Sequence, residues 1–81
     1  MPVIFKYKGN RFFFYSNEGN PREPMHVHVE GGNGKAKFWV YPFVRLAKNS
    51  GFTEATLNEL LTVITENKSL IEEKWNEHFS N

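Results

Sequence analysis

A chain of 81 residues with a formal charge of +1 and no cysteine can hold one small core, and it excludes both a disulfide framework and a cysteine-ligated zinc site. Its opening, MPVIFKYKGN, lacks the apolar segment of a signal peptide, and no run is long enough for a bilayer, so a cytoplasmic protein without membrane contact is expected. The small net charge hides a split. Residues 1–49 carry eight basic side chains against three acidic ones, and residues 50–81 carry two against six. A single domain over 1–81, with a basic β part and an acidic helical part, would show two faces of opposite potential.

Residues 2–16, PVIFKYKGNRFFFYS, alternate as a hairpin, with Gly9 and Asn10 suited to the left-handed conformations of a tight turn. Pairing Lys8 with Arg11 puts Val3, Phe5, Tyr7, Phe12 and Phe14 on one face. Ile4, Lys6, Lys8, Arg11, Phe13 and Tyr15 then share the other. Residues 17–24, NEGNPREP, contain two prolines and a glycine and are expected to form a loop.

A second hairpin follows in MHVHVEGGNGKAKFWV, residues 25–40. Whether its loop is 31–34 or only 32–33, the register is the same: Glu30 faces Lys35, His28 faces Lys37 and His26 faces Trp39. Met25, Val27, Val29, Ala36, Phe38 and Val40 make the apolar side. Pro42 ends this strand because it cannot donate to a ladder, and FVRLAKN, residues 43–49, is a candidate short fifth strand.

From Gly51 the apolar period changes from two to 3.6. Thr53 fits an N-cap with Phe52 and Leu57 as a hydrophobic staple, and Thr56 with Glu59 fits a capping box one turn later. Leu57, Leu60, Leu61, Ile64, Ile71, Trp75 and Phe79 fall on one stripe. Lys68 interrupts that stripe and would snorkel outward. One long helix is expected, and residues 67–69 are where it would bend, since Ser69 and Glu72 offer another capping box. His78 lies in its last turn, where a cation suits the helix dipole.

Burial then dictates the architecture. The apolar faces of the hairpins need a cover, and the helix carries the only matching stripe. An α+β domain results, a small antiparallel sheet of two hairpins with the C-terminal helix on one face. The other face has no partner from this chain. It gathers Lys6, Lys8, Arg11, Phe13, Tyr15, Lys35 and Trp39 around His26, His28, Glu30 and Lys37. Cations neutralise phosphates and flat rings stack on unpaired bases, so this face is a candidate surface for single-stranded RNA. A partner protein or a second copy of the chain, forming a homodimer, would also cover such a surface.

The sharpest feature is His26-x-His28-x-Glu30. Alternate strand side chains project the same way, about 6–7 Å apart, so these three could approach a zinc or iron ion. Lys35 and Lys37, across the ladder, would oppose a dication, and Lys35 offers Glu30 an ion pair instead. The same lysines favour a phosphodiester. Histidine in general titrates near neutrality, so His26 and His28 could divide acid and base roles while Lys37 stabilises charge on phosphorus. That set is chemically sufficient for metal-independent RNA cleavage, and no cofactor is expected.

These residues also resemble a small bacterial family, the domain of unknown function numbered 4160. The likeness rests on Met1-Pro2 with Ile4, Tyr15, Pro24, the His26-x-His28-x-Glu30 segment, Lys35-Ala36 and the late Trp75. Many members place two prolines directly before the first histidine, where this chain has Pro24-Met25. The resemblance implies a gene neighbour from another uncharacterised family, numbered 2442, in an arrangement similar to toxin–antitoxin pairs. It thus implies a protein partner, RNA as a target, or both.

Overall fold

A computed structural model describes residues 3–15 and 23–79 of the chain. Five strands come first: β1 (Val3–Tyr7), β2 (Asn10–Phe13), β3 (His26–Gly31), β4 (Gly34–Trp39) and β5 (Arg45–Ser50). Two helices follow, α1 (Glu54–Glu66) and α2 (Lys68–Phe79). The strands form one antiparallel sheet in the order β1-β2-β3-β4-β5, so the α+β class holds and the fifth strand is present. Residues 17–22 of the expected loop lie outside the described residues.

The β3–β4 hairpin has the register that alternation requires. His26 pairs with Trp39, His28 with Lys37 and Glu30 with Lys35, leaving a two-residue turn. Val27, Val29, Ala36 and Phe38 are buried in the core, and Val40 N–H still donates to the Met25 carbonyl at 2.9 Å beyond the last ladder pair. The two hairpins are adjacent, with Arg11 opposite Glu30 and Phe13 opposite His28.

The first hairpin differs from expectation in two ways. Its turn is Lys8-Gly9, not Gly9-Asn10, so Tyr7 faces Asn10 and Lys6 faces Arg11. Lys8 and Gly9 take φ of 50° and 80°, the pair of positive values that a primed hairpin turn needs. A positive φ is unusual for lysine. Here it aims the ammonium at the Glu59 carboxylate of α1, 2.7 Å away, beside the Tyr7 hydroxyl that donates to the same carboxylate at 2.5 Å. The register moves by two, so the faces near the turn are unchanged. Further along, an irregularity between Val3 and Phe5 reverses the expected sides: Val3 pairs with Phe13 on the open face, and Ile4 packs against the core.

Thr53 caps α1, its Oγ1 accepting the Thr56 N–H at 3.2 Å. The corner before it is tight. Gly51 has φ of 101°, and a Cβ there would stand 2.5 Å from the Asn33 carbonyl oxygen in the β3–β4 turn. Only glycine fits both demands.

The single long helix is in fact two. At Asn67 the backbone leaves helical geometry (φ −111°, ψ 20°), and the Asn67 carboxamide donates to the Val63 carbonyl at 2.8 Å. A side chain competing for a helical carbonyl loosens the ladder at that point. Lys68 then extends outward, and its ammonium donates to the Pro42 carbonyl at 3.3 Å. Both helices still bury their apolar sides, Leu60, Val63 and Ile64 from α1 with Ile71, Trp75 and Phe79 from α2. These join Phe12, Phe14, Val27, Val29, Phe38 and Val40 in one hydrophobic cluster. Among the described residues no helix is long and apolar enough to cross a membrane.

Candidate functional site

Pairing across the sheet arranges the open face in rows. One row runs Lys6, Arg11, Glu30, Lys35, Ser50, and the next runs Val3, Phe13, His28, Lys37, Lys48. A third runs His26, Trp39, Arg45. Arg45 and Lys48 are additions that alternation alone would have put on opposite faces. An irregularity in β5 leaves Phe38 paired with Leu46 and Lys37 paired with Lys48, so Ala47 is the extra residue. A bulge of this kind reverses the strand's parity and brings both cations to one side.

Among the described residues the face therefore carries six cations, Lys6, Arg11, Lys35, Lys37, Arg45 and Lys48. Two described carboxylates answer them. Glu30 is gripped by the Arg11 guanidinium and lies 3.7 Å from the Lys35 ammonium. Glu23, on the segment entering β3, holds the Lys37 ammonium at 3.1 Å. Lys37 also lies 4.4 Å above the Trp39 ring, which the Arg45 guanidinium approaches at 5.8 Å. Trp39 is thus braced by two cations.

The aromatic groups divide differently from expectation. Phe13 is on the open side but only 1% exposed, lying against the rings of Tyr15 at 5.2 Å and His28 at 5.7 Å and near the Arg11 guanidinium at 5.5 Å. It supports other groups and offers no stacking surface. Tyr15 and His28, which meet edge to face at 4.5 Å, are accessible, as in part is Trp39. Together Tyr15 and His28 flank a groove of about 610 Å³ whose far side is β5, with Lys48 and Ser50, and whose lining also includes Glu30, Lys35 and Lys37.

Two candidates leave the face. Lys8 belongs to the helix side, where it and the Tyr7 hydroxyl hold the Glu59 carboxyl below its ordinary range, and where Glu59 in turn raises both of theirs. His26 is 0% exposed. Its ring packs between Trp39 (5.6 Å) and Trp75 of α2 (5.3 Å), with Nδ1 2.9 Å from the Pro24 carbonyl oxygen. A ring so enclosed presents no nitrogen to the open face, although it lies 5.2 Å from the His28 ring. The third member of the triplet, Glu30, is bound by Arg11 and Lys35. Among the described residues no group of three histidine or carboxylate side chains is placed to hold a metal. His78, at the end of α2, stacks 6.1 Å from Phe14.

What these features define is a small α+β domain with one sheet face closed by helices and the other open, basic and partly aromatic. The chain belongs to the family described as Domain of unknown function (DUF4160), whose model matches residues 9–76. No curated protein and no solved structure matches it.

Proposed function

We propose that this domain binds single-stranded RNA across the open sheet face, as one member of a toxin–antitoxin-like pair. The observation that carries the reading is the set of six cations on three adjoining rows around the Tyr15–His28 groove. Cations supply affinity for the phosphate backbone, and exposed rings supply sequence-tolerant stacking. Binding is favoured over cleavage. Among the described residues His28 is the one histidine lining the groove, Glu30 there is bound by Arg11, His26 is enclosed, and the Lys37 ammonium is engaged by Glu23.

Six cations against two carboxylates leave a surplus of four, so the logarithm of affinity should fall against the logarithm of salt with a slope of roughly −3. Lys35→Glu should weaken binding further and flatten that slope. Fluorescence anisotropy of a labelled oligoribonucleotide measures both. No binding at low salt, or affinity that ignores salt, ends this reading.

A second reading, a protein partner encoded by the neighbouring gene, is favoured by a different region. Tyr41 and Phe43 are 60% and 62% exposed in the segment between β4 and β5, and Leu46 of β5 is exposed as well. Exposed apolar clusters commonly mark protein contacts. Sedimentation of the chain mixed with that partner tests it: a heavier species lost on Phe43→Ser supports the contact, and unchanged sedimentation removes it.

A further inference from the structure

We propose that the groove is a one-nucleotide subsite, with a base against Tyr15 and His28 and its phosphate on the Lys48–Lys35 rim. The inference rests on the RNA reading and states where along the face a single nucleotide is held. It begins with the two walls. On the β2–β3 side, Tyr15 and His28 form an aromatic corner, and Phe13 beneath contacts both rings. A corner backed by a buried ring is already in position before a ligand arrives, which lowers the ordering cost of binding.

The β5 wall is polar. Lys48 and Ser50 project into the groove there, with Lys35 beside them on β4. Lys48 stands directly opposite Lys37, and like charges in that position repel. Lys37 is relieved by Glu23 and the Trp39 ring, at the other end of its strand from Lys35. Lys48 is exposed and makes no ion pair among the described residues. Lys35 shares its only described carboxylate, Glu30, with Arg11. At Lys48 an anion would therefore ease a repulsion and displace no partner, while at Lys35 it would compete with Glu30, a carboxylate that also lines the groove and is already shared with Arg11.

The span between the walls also suits the ligand. β3 and β5 are separated by β4, two strand spacings, or roughly 10 Å. That is the scale of an extended nucleotide from its base to its phosphate. A dianionic phosphate on ammonium groups makes charge-assisted contacts, and a base on Tyr15 and His28 needs no sequence-specific hydrogen bond.

Titration of the protein with uridine 5′-monophosphate and with uridine, followed by NMR, tests the subsite. The monophosphate should shift the signals of Tyr15, His28, Lys48 and Ser50 and bind about tenfold tighter than the nucleoside, the scale of one charge-assisted contact. Lys48→Gln should abolish that preference, whereas Lys6→Gln, at the opposite edge of the sheet, should keep it. Equal affinity for the two ligands, or shifts confined to other residues, overturns the subsite. A short single-stranded RNA supplies the second arm. It should lose about tenfold in affinity to Tyr15→Ala, the cost of one lost stacking contact, in a variant whose amide spectrum remains dispersed. Oligonucleotide binding unaltered by both Lys48→Gln and Tyr15→Ala overturns the subsite and leaves the sheet-face reading intact. Mononucleotide binding without oligonucleotide binding does the reverse.

Discussion

Phe12 and Phe13 are neighbours in β2 and equally buried, but their covers differ. Phe12 stacks on Phe5 at 4.5 Å and belongs to the core cluster closed by α1 and α2. Phe13 is covered from the open side by Tyr15, His28 and Arg11, and it stands outside that cluster. One lid is made of helices whose removal is unfolding. The other is a single layer of side chains, none of which carries the ladder of the sheet beneath it. A face that buries one ring in this way can lose a covering side chain at little cost to the fold.

The widest separation between the faces should appear at Val27, fully buried on the helix side. Val27→Asp places an unpaired charge in the core and should cost about 3–5 kcal/mol, enough to unfold most of the chain. A cooperative melt near the wild-type midpoint would mean that the faces have been assigned in reverse. Next come the paired phenylalanines. Phe12→Ala should cost about 3–5 kcal/mol in urea denaturation. Phe13→Ala should cost roughly 1–2 kcal/mol, because its cover is one layer of side chains facing solvent rather than packed helices, and the gap need not remain an empty cavity. Equal losses would erase the distinction between the two lids. His28→Ala should move stability by only about half a kcal/mol, as surface changes do, while weakening RNA binding measurably.

The smallest effect concerns pH and lies on the helix side. Glu59 has its carboxyl lowered from the ordinary 4.5 by the Lys8 ammonium first and the Tyr7 hydroxyl second. Its contribution is present above that value and fades as pH falls through the lowered one. Tyr7 and Lys8 are both raised, chiefly by hydrogen bonding to Glu59, from 10.0 and 10.5. Their contributions are present below those values and fade as pH rises past them. Glu59→Gln should therefore flatten the thermal midpoint at both ends of a profile from acid to strongly alkaline pH. The groups are exposed, so the change will be slight. Parallel profiles for variant and wild type would show that the trio contributes nothing to stability.

Strict alternation made the β3–β4 hairpin legible, since each candidate loop implied the same pairs, and it also separated Val27 and Val29 from His28 and Lys37. Parity is also where legibility ended. One extra residue near Val3 turned Ile4 inward, and another at Ala47 gathered Arg45 and Lys48 on the open face. Neither position carries a composition that announces a bulge. The burial of His26 was hidden for another reason. It depends on Trp75 arriving from α2, a contact between remote parts of the chain that no local pattern encodes. The break at Asn67 was half visible, because Ser69 and Glu72 suggested a new start, but the stripe of apolar residues continues across it.

The sheet order has a kinetic consequence. Every strand is bonded to its neighbours in sequence, and the most distant ladder partners, Arg11 and Glu30, are 19 positions apart. Each pairing closes a short loop, so little chain entropy is lost before hydrogen bonds form. The sheet can grow one strand at a time, and the helices, last in the chain, have a finished apolar surface on which to settle. Mixed folds dominated by such local closures belong among the faster two-state folders.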